Sequence, residues 1–245
     1  IEYNGNFWHN SKNKPRNYHR DKTFQCESHD VRLIHIFEYE WETNKDLIKQ
    51  YLRDTLCDKE VIYARQTELI NVNGEIAKNF INKYHLQGYA ASEINIGLKY
   101  NDEIVGMMTF GHPRFNTDAE YELIRLCFKF GYSVVGGAEK MFKTFVENYK
   151  PSSVISYCNI AKFTGKVYNN LGFKINRVTE PNYVWCKGRD IKTRYQTQKN
   201  RLVKQGLGTS DMTEDQIMQS LGYVKIYDCG NLQCIWKNDN NNERK

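Results

Sequence analysis

The stretch Ser133-Val134-Val135-Gly136-Gly137-Ala138 is the most constraining local pattern in the middle of this chain. A β-type run stops at a glycine pair, and a helix opens whose apolar residues Met141, Phe142, Phe145, Val146 and Tyr149 recur at helical spacing. Val154 to Cys158 then reads as a strand. A glycine-bearing turn that opens a helix presents free backbone N–H groups and a positive dipole end, an arrangement suited to a pyrophosphate. Gly136, Gly137 and Ala138 are therefore candidate cofactor-binding residues.

What precedes that turn reads as strand, helix and antiparallel meander. Residues 61 to 67 are a strand, and Gly74 to His85 is an amphipathic helix through Ile76, Ala77, Phe80, Ile81 and Tyr84. His85 falls at its C-terminal end, where an imidazolium would favour the dipole. Ile94 to Tyr100 and Glu103 to Phe110 alternate about Asn101-Asp102, a hairpin signal, and Tyr121 to Phe128 is a third strand. After the glycine turn, a helix over Lys162 to Asn170 leads into Tyr168-Asn169-Asn170-Leu171-Gly172-Phe173.

The first 58 residues form a separate unit of different character. Glu2, His9 and His19 are candidate catalytic residues, and Glu2 is also the candidate metal ligand, because a carboxylate and histidines beside a basic loop are the parts of a metal-dependent phosphodiesterase. Lys12, Lys14 and Arg16 in the loop are candidate phosphate contacts, with the aromatics Phe7 and Trp8 beside them. Leu33 to Trp41 reads as a second β-type run ending in carboxylates, and a helix over Asn44 to Cys57 closes the unit.

Between Lys187 and Lys204, seven cations stand against the single acid Asp190. Arg189, Lys192, Arg194, Lys199 and Arg201 among them are expected to meet a DNA backbone. Thr213 to Gln216 is a capping box that starts a helix to Ser220. Tyr223 to Asp228 and Leu232 to Trp236 are expected to form a hairpin about Gly230-Asn231, followed by a disordered tail over 237 to 245. The linear division is thus 1–58, 61–187 and 188–245.

Composition agrees with an acidic partner such as double-stranded DNA: the net charge is +6 and the sequence pI about 8.8. Seven cysteines without a Cys-x-x-Cys pair argue for a reducing compartment, and no apolar run is long enough to span a membrane. The expected location is the cytoplasm, of a host cell if the gene is a phage gene.

Two resemblances extend this reading. Gly5-Asn6-Phe7-Trp8-His9, the helical stretch from His19 to Ser28 and Arg32 to Glu38 resemble, in that order, the very-short-patch-repair (Vsr-like) nuclease fold of phage homing endonucleases. The resemblance implies His9 at the scissile phosphate, His19 in acid–base or metal-shell work, Phe7 and Trp8 wedged between base steps, and Mg²⁺ as cofactor with Glu2 in its shell. It also places the family's principal metal-binding aspartate before residue 1. The chain is accordingly expected to be a fragment or a truncated, inactive copy.

Residues 61 to 187 resemble the GNAT acyltransferase fold, whose core strand feeds a glycine-bearing turn and whose later helix ends in Tyr-x-x-x-Gly-Phe. Against the family pattern Gln/Arg-x-x-Gly-x-Gly/Ala, Gly136 and Ala138 match and Ser133 replaces the first residue. The resemblance implies acetyl-coenzyme A as donor and Tyr168 at the position of a general acid.

The fold expected is α+β: a partial Vsr-like, restriction-endonuclease-type fold followed by a GNAT-like mixed sheet with helices on both faces. The main expectation for function is a Mg²⁺-dependent homing-type DNA endonuclease. The alternatives are a GNAT-type acyltransferase, a nucleobase-modifying enzyme using Asn159, Lys162 and Asn182, or a DNA-binding protein without activity.

Overall fold

In the computed structural model, which describes residues 1–114 and 118–238, the elements run β1 (Glu2–Asn4), α1 (Tyr18–Glu27), β2 (His35–Phe37), α2 (Glu38–Leu56) and β3 (Glu60–Tyr63). A 3-10 turn over Ala64–Gln66 leads to β4 (Glu68–Asn71), α3 (Gly74–Tyr84), β5 (Ile94–Tyr100), β6 (Glu103–Gly111), β7 (Tyr121–Phe128), β8 (Tyr132–Val135) and α4 (Gly137–Tyr149). Then come β9 (Ser153–Asn159), α5 (Lys166–Asn170), β10 (Lys174–Val178), β11 (Tyr183–Lys187) and β12 (Asp190–Thr193). The last are α6 (Lys199–Lys204), α7 (Glu214–Ser220), β13 (Val224–Tyr227) and β14 (Asn231–Lys237). The mixed α+β class expected from the sequence is what the structure has.

The chain divides into two compact units that interleave. One comprises Ile1–Lys45, Cys158–Thr164 and Val178–Leu232; the other comprises Asp46–Tyr157, Gly165–Arg177 and the described residues from Gln233 on. The first division falls just after Asn44, whose φ of −134° and ψ of 34° break α2. The sequence-based boundaries at 58 and 187 lie inside these units.

The second unit is organised on a seven-stranded mixed sheet in the order β10-β14-β9-β7-β6-β5-β4. Its hairpin turns at Asn101 and Asp102, with φ of 47° and 63°, the left-handed pair that a two-residue turn requires. Alternation along β6 sends Met107 to one face, where it packs with Ala77, Phe80 and Ile81 of α3, and Phe110 to the other. There Phe110 stacks on Phe145 of α4 with ring centroids 3.7 Å apart. Helices thus cover both faces. Asn73 Oδ1 accepts from Ile76 N at 2.9 Å to start α3, and Lys150 in the left-handed region, φ 46°, ends α4.

In the first unit β1 and β2 pair in parallel, and β11 lies between β12 and β13 in a three-stranded sheet. Two apolar cores form: Phe37, Ile160, Ala161, Cys186, Ile226 and Cys229 in one, and Trp185, Leu202, Ile217 and Met218 in the other. Glu214 ties the second together by accepting from Tyr183 Oη, Trp185 Nε1 and Thr197 Oγ1 at 2.8–3.0 Å.

Several expectations need correction. Glu38 to Trp41 is helix, not strand, because Glu40 Oε2 reaches back to accept from Phe37 N at 3.1 Å and two acids in the first turn suit the helix dipole. Ala64–Gln66 leave the strand for the 3-10 turn, and α5 begins only at Lys166, after Gly165 at φ 78°. The C-terminal hairpin does not form, because β13 joins the three-stranded sheet and β14 the seven-stranded one. Gly230 redirects the chain between them: its φ is 74°, and a Cβ there would meet Thr179 O at 2.5 Å. Lys237 closes β14, and the rest of the expected tail, from Asp239, lies outside the described residues. Among the described residues no helix is long and apolar enough to cross a membrane.

Phe145 is fully buried between α4 and the sheet. Phe145→Ala should lower the stability of the protein by about 3–5 kcal/mol, read as a fall in its urea midpoint.

Candidate functional site

The site begins where a sheet stops pairing. β7 and β9 run parallel, yet only Tyr121 with Val154 and Glu122 with Ile155 are in register, after which the two strands part. On its other edge β7 carries a bulge: Thr109 pairs with Arg125 and Phe110 with Leu123, which leaves Ile124 as the extra residue. A gap therefore opens at the C-terminal ends of two parallel strands, the side of such a sheet that binds ligands. The chain passes from β7 through β8 into α4 and back into β9, so the N-terminus of α4 belongs to that same end.

Polar side chains bridge the gap. Ser156 Oγ donates to Leu123 O at 2.8 Å, taking up a carbonyl where the ladder has stopped, and the Tyr168 hydroxyl lies 3.0 Å from Ser156 Oγ. Arg125, half-buried, donates from Nε to Gly88 O at 2.8 Å and from Nη1 to Ile124 O at 2.9 Å. Glu122, 1% exposed, accepts from Arg114 through Nε at 3.3 Å and Nη2 at 2.5 Å. Of these residues only Tyr168 was expected from the sequence. A signal for the others is the pair Glu122 and Arg125 inside an apolar strand: a spacing of three cannot keep both on one face of a regular strand, so it marks a bulge.

Gly136 occupies the N-cap of α4 in the left-handed region, φ 76°, and is exposed, so its conformation requires glycine or a tolerant residue. Gly137 is required by packing: a Cβ there would lie 2.8–3.0 Å from Val134, Phe128 and Leu98 side chains. Ala138 is buried beside it. The first turn also carries Glu139, and Lys140 Nζ donates to Ala64 O at 2.8 Å. His85 is neutral, its pKa pushed down to about 3 by burial and then by Arg125, so it does not serve the helix as a cation.

The N-terminal candidates also come together, in the first unit. His9 Nδ1 lies 2.9 Å from His19 Nε2, and His35 joins through Asn4 Nδ2 at 3.0 Å and Thr23 Oγ1 at 2.9 Å. His19 and His35 are 1% and 0% exposed. Burial first pushes the pKa of each down to about 4, helped for His19 by its histidine neighbours and for His35 by Lys162. Burial lowers His9 as well. Glu2 is held below the ordinary carboxylate range: burial opposes its charge, but the hydrogen bond from Lys22 at 2.7 Å and the cations near it prevail. Its 3.4 Å contact with His35 is not an ion pair at neutral pH, because His35 is then uncharged.

This donor set overturns the Mg²⁺-dependent endonuclease expected from the sequence. Glu2 Oε1 accepts from Lys22, Glu38 Oε2 accepts from Asn6 N, and among the described residues no group of three or more histidine, cysteine or acidic side chains could hold a metal ion. Residues of the right chemical type gather here, but as a buried hydrogen-bonded cluster. The nucleobase-site residues are structural too: Lys162, 3% exposed, holds Glu40 at 2.6 Å, Asn159 Oδ1 accepts from Ala161 N, and Asn182 N donates to Asp228.

The expected DNA contacts are mixed. Phe7 and Trp8 are 71% and 68% exposed and meet edge to face. Lys12 is exposed, Lys14 lies over the Tyr18 ring, and Arg16 donates to Pro181 O at 3.2 Å. Arg189 pairs with Glu42 and Lys192 with Asp190, while Arg194 lies over Tyr183 and Arg201 over Tyr195. Lys199 opens α6.

No family profile and no curated protein matches this chain. Among solved structures it is similar to a Bacillus subtilis acetyltransferase in complex with CoA, at 11% identity and a TM-score of 0.39, over 71% of this chain and 98% of that one.

The buried histidines have a pH signature. Unfolded, each titrates near 6.5; folded, His19 and His35 resist protonation down to about 4. Between those values the unfolded chain binds more protons, so stability is fully present above pH 6.5 and falls as pH drops, by at most about 1.4 kcal/mol per unit for each histidine. Urea midpoints measured from pH 7 to 4.5 should fall accordingly, and His35→Gln should flatten the slope.

Proposed function

We propose that the second unit is an acyltransferase of GNAT type that takes its acyl group from an acyl-coenzyme A thioester. The observation that carries this reading is the parting of β7 and β9 after two paired residues, at the bulge of Ile124 and on the same end as the glycine start of α4. A gap in a parallel sheet exposes backbone groups along its walls, to which an extended amide-bearing arm can hydrogen-bond as a missing strand would. The amides of the first turn of α4 and its dipole suit the pyrophosphate at the end of such an arm.

The chemistry needs few groups. A nucleophilic acceptor attacks the thioester carbonyl carbon, and the C–S bond breaks with its electron pair on sulfur. The acceptor loses its proton to water. Tyr168 supplies the proton that converts the thiolate to free thiol and regains one from water.

Calorimetric titration of the full chain with acetyl-coenzyme A should give micromolar binding. Gly136→Asn tolerates the left-handed N-cap and should leave it intact, whereas Gly136→Asp puts a carboxylate against the phosphates and should weaken it by about tenfold or more. Absence of binding, or equal binding by the two variants, would count against the reading.

A further inference from the structure

Arg125 is poorly compensated for a half-buried cation. Both its Nε and Nη1 hydrogen bonds go to neutral carbonyls, Gly88 O and Ile124 O, while the nearby carboxylate of Glu122 is taken by Arg114. His85, in electrostatic contact with Arg125, is neutral and adds no charge. Burial first and then the like charge of Arg114 lower the pKa of Arg125, and Glu122 opposes them only in part. A guanidinium removed from water without an anion is costly, and the cost is relieved by a ligand that brings one.

A second observation lies directly across the ladder. Thr109 pairs with Arg125 in register, so the two side chains share the face of the sheet that α3 covers. Thr109 is 0% exposed, and its hydroxyl has no hydrogen-bond partner among the described residues. Hydroxyls so placed are nearly always satisfied. An unsatisfied hydroxyl beside a poorly compensated guanidinium, at the bulge where the gap opens, is a site for an oxyanion.

We propose that the acceptor carries a carboxylate, bound by the Arg125 guanidinium beside the Thr109 hydroxyl on the α3 face of the gap. A carboxylate suits the site better than a phosphate: Arg125 offers one planar fork and one charge, and the Glu122 carboxylate paired with Arg114 lies beside it and disfavours a dianion. The acceptor part of this inference rests on the acyl-transfer reading; the anion site itself does not. Held there, the ligand approaches Ile124 and the β7 side of the gap from the α3 face, while α4 covers the opposite face.

The test uses the full chain with arginine side chains labelled with ¹⁵N and follows their Nε–H signals during titration with N-acetylglycine, N-acetylglycinamide and inorganic phosphate. N-acetylglycine should shift the Arg125 signal saturably, the uncharged amide should not, and phosphate should bind more weakly. Arg125→Lys keeps the charge but loses the planar fork, and should weaken N-acetylglycine roughly 10-fold, read from the surrounding backbone amides of a variant whose thermal unfolding matches the parent. Equal response to the acid and the amide, tighter phosphate binding, or an unchanged affinity in Arg125→Lys would overturn the assignment. The two proposals fail separately: acetyl-coenzyme A binding without a carboxylate response removes this one, and a carboxylate response without acetyl-coenzyme A binding removes acyl transfer while leaving the anion site.

Discussion

The candidate site depends on one interruption: two parallel strands that pair at Tyr121–Val154 and Glu122–Ile155 and then separate. A sheet left unpaired in its middle exposes backbone donors and acceptors, which has to be offset locally. Part of the answer is Ser156, whose hydroxyl takes the Leu123 carbonyl. Part is the bulge at Ile124, which shifts the phase of β7 so that Glu122 and Arg125, three residues apart, come within electrostatic reach of each other and of Tyr168. The polar groups at the gap follow from the geometry of the break.

The N-terminal cluster illustrates the opposite case. Glu2, His9, His19 and His35 have the chemical types of a metal-dependent hydrolase, and the chain does bring them together. Burial, however, leaves His19 and His35 neutral; His35 is held by Asn4 and Thr23, and His19 by His9. Lys22 holds one oxygen of the Glu2 carboxylate. Residue type fixes what a site could do; the number and freedom of its donors decide whether it can hold a metal.

Much of the second unit was legible from sequence because its elements are set by local rules. Asn101-Asp102 made the hairpin, the apolar spacing of α3 buried Ala77, Phe80 and Ile81, and that of α4 placed Phe142 and Phe145 against the sheet. What escaped is non-local. β3 and β8 form their own parallel pair, β14 crosses to another sheet, and the two units interleave, none of which a linear pattern encodes. The glycine turn shows the limit most clearly: Gly136 and Gly137 look alike in sequence, as one phosphate cradle, yet Gly137 is small because Val134, Phe128 and Leu98 crowd it. Arg125 and Thr109 carry no linear signal as a pair, because their significance lies in a cross-strand register and in a Thr109 hydroxyl unpartnered among the described residues.

The claim on which this account turns is that the β7–β9 gap and the start of α4 are parts of one ligand site. Hydrogen–deuterium exchange of the full chain with and without acetyl-coenzyme A addresses it most directly. The account predicts slowed exchange in peptides covering residues 122–127 and 136–140 together, with α1 unchanged. Protection confined to residues 1–41, or none in either predicted segment at saturating ligand, would contradict it.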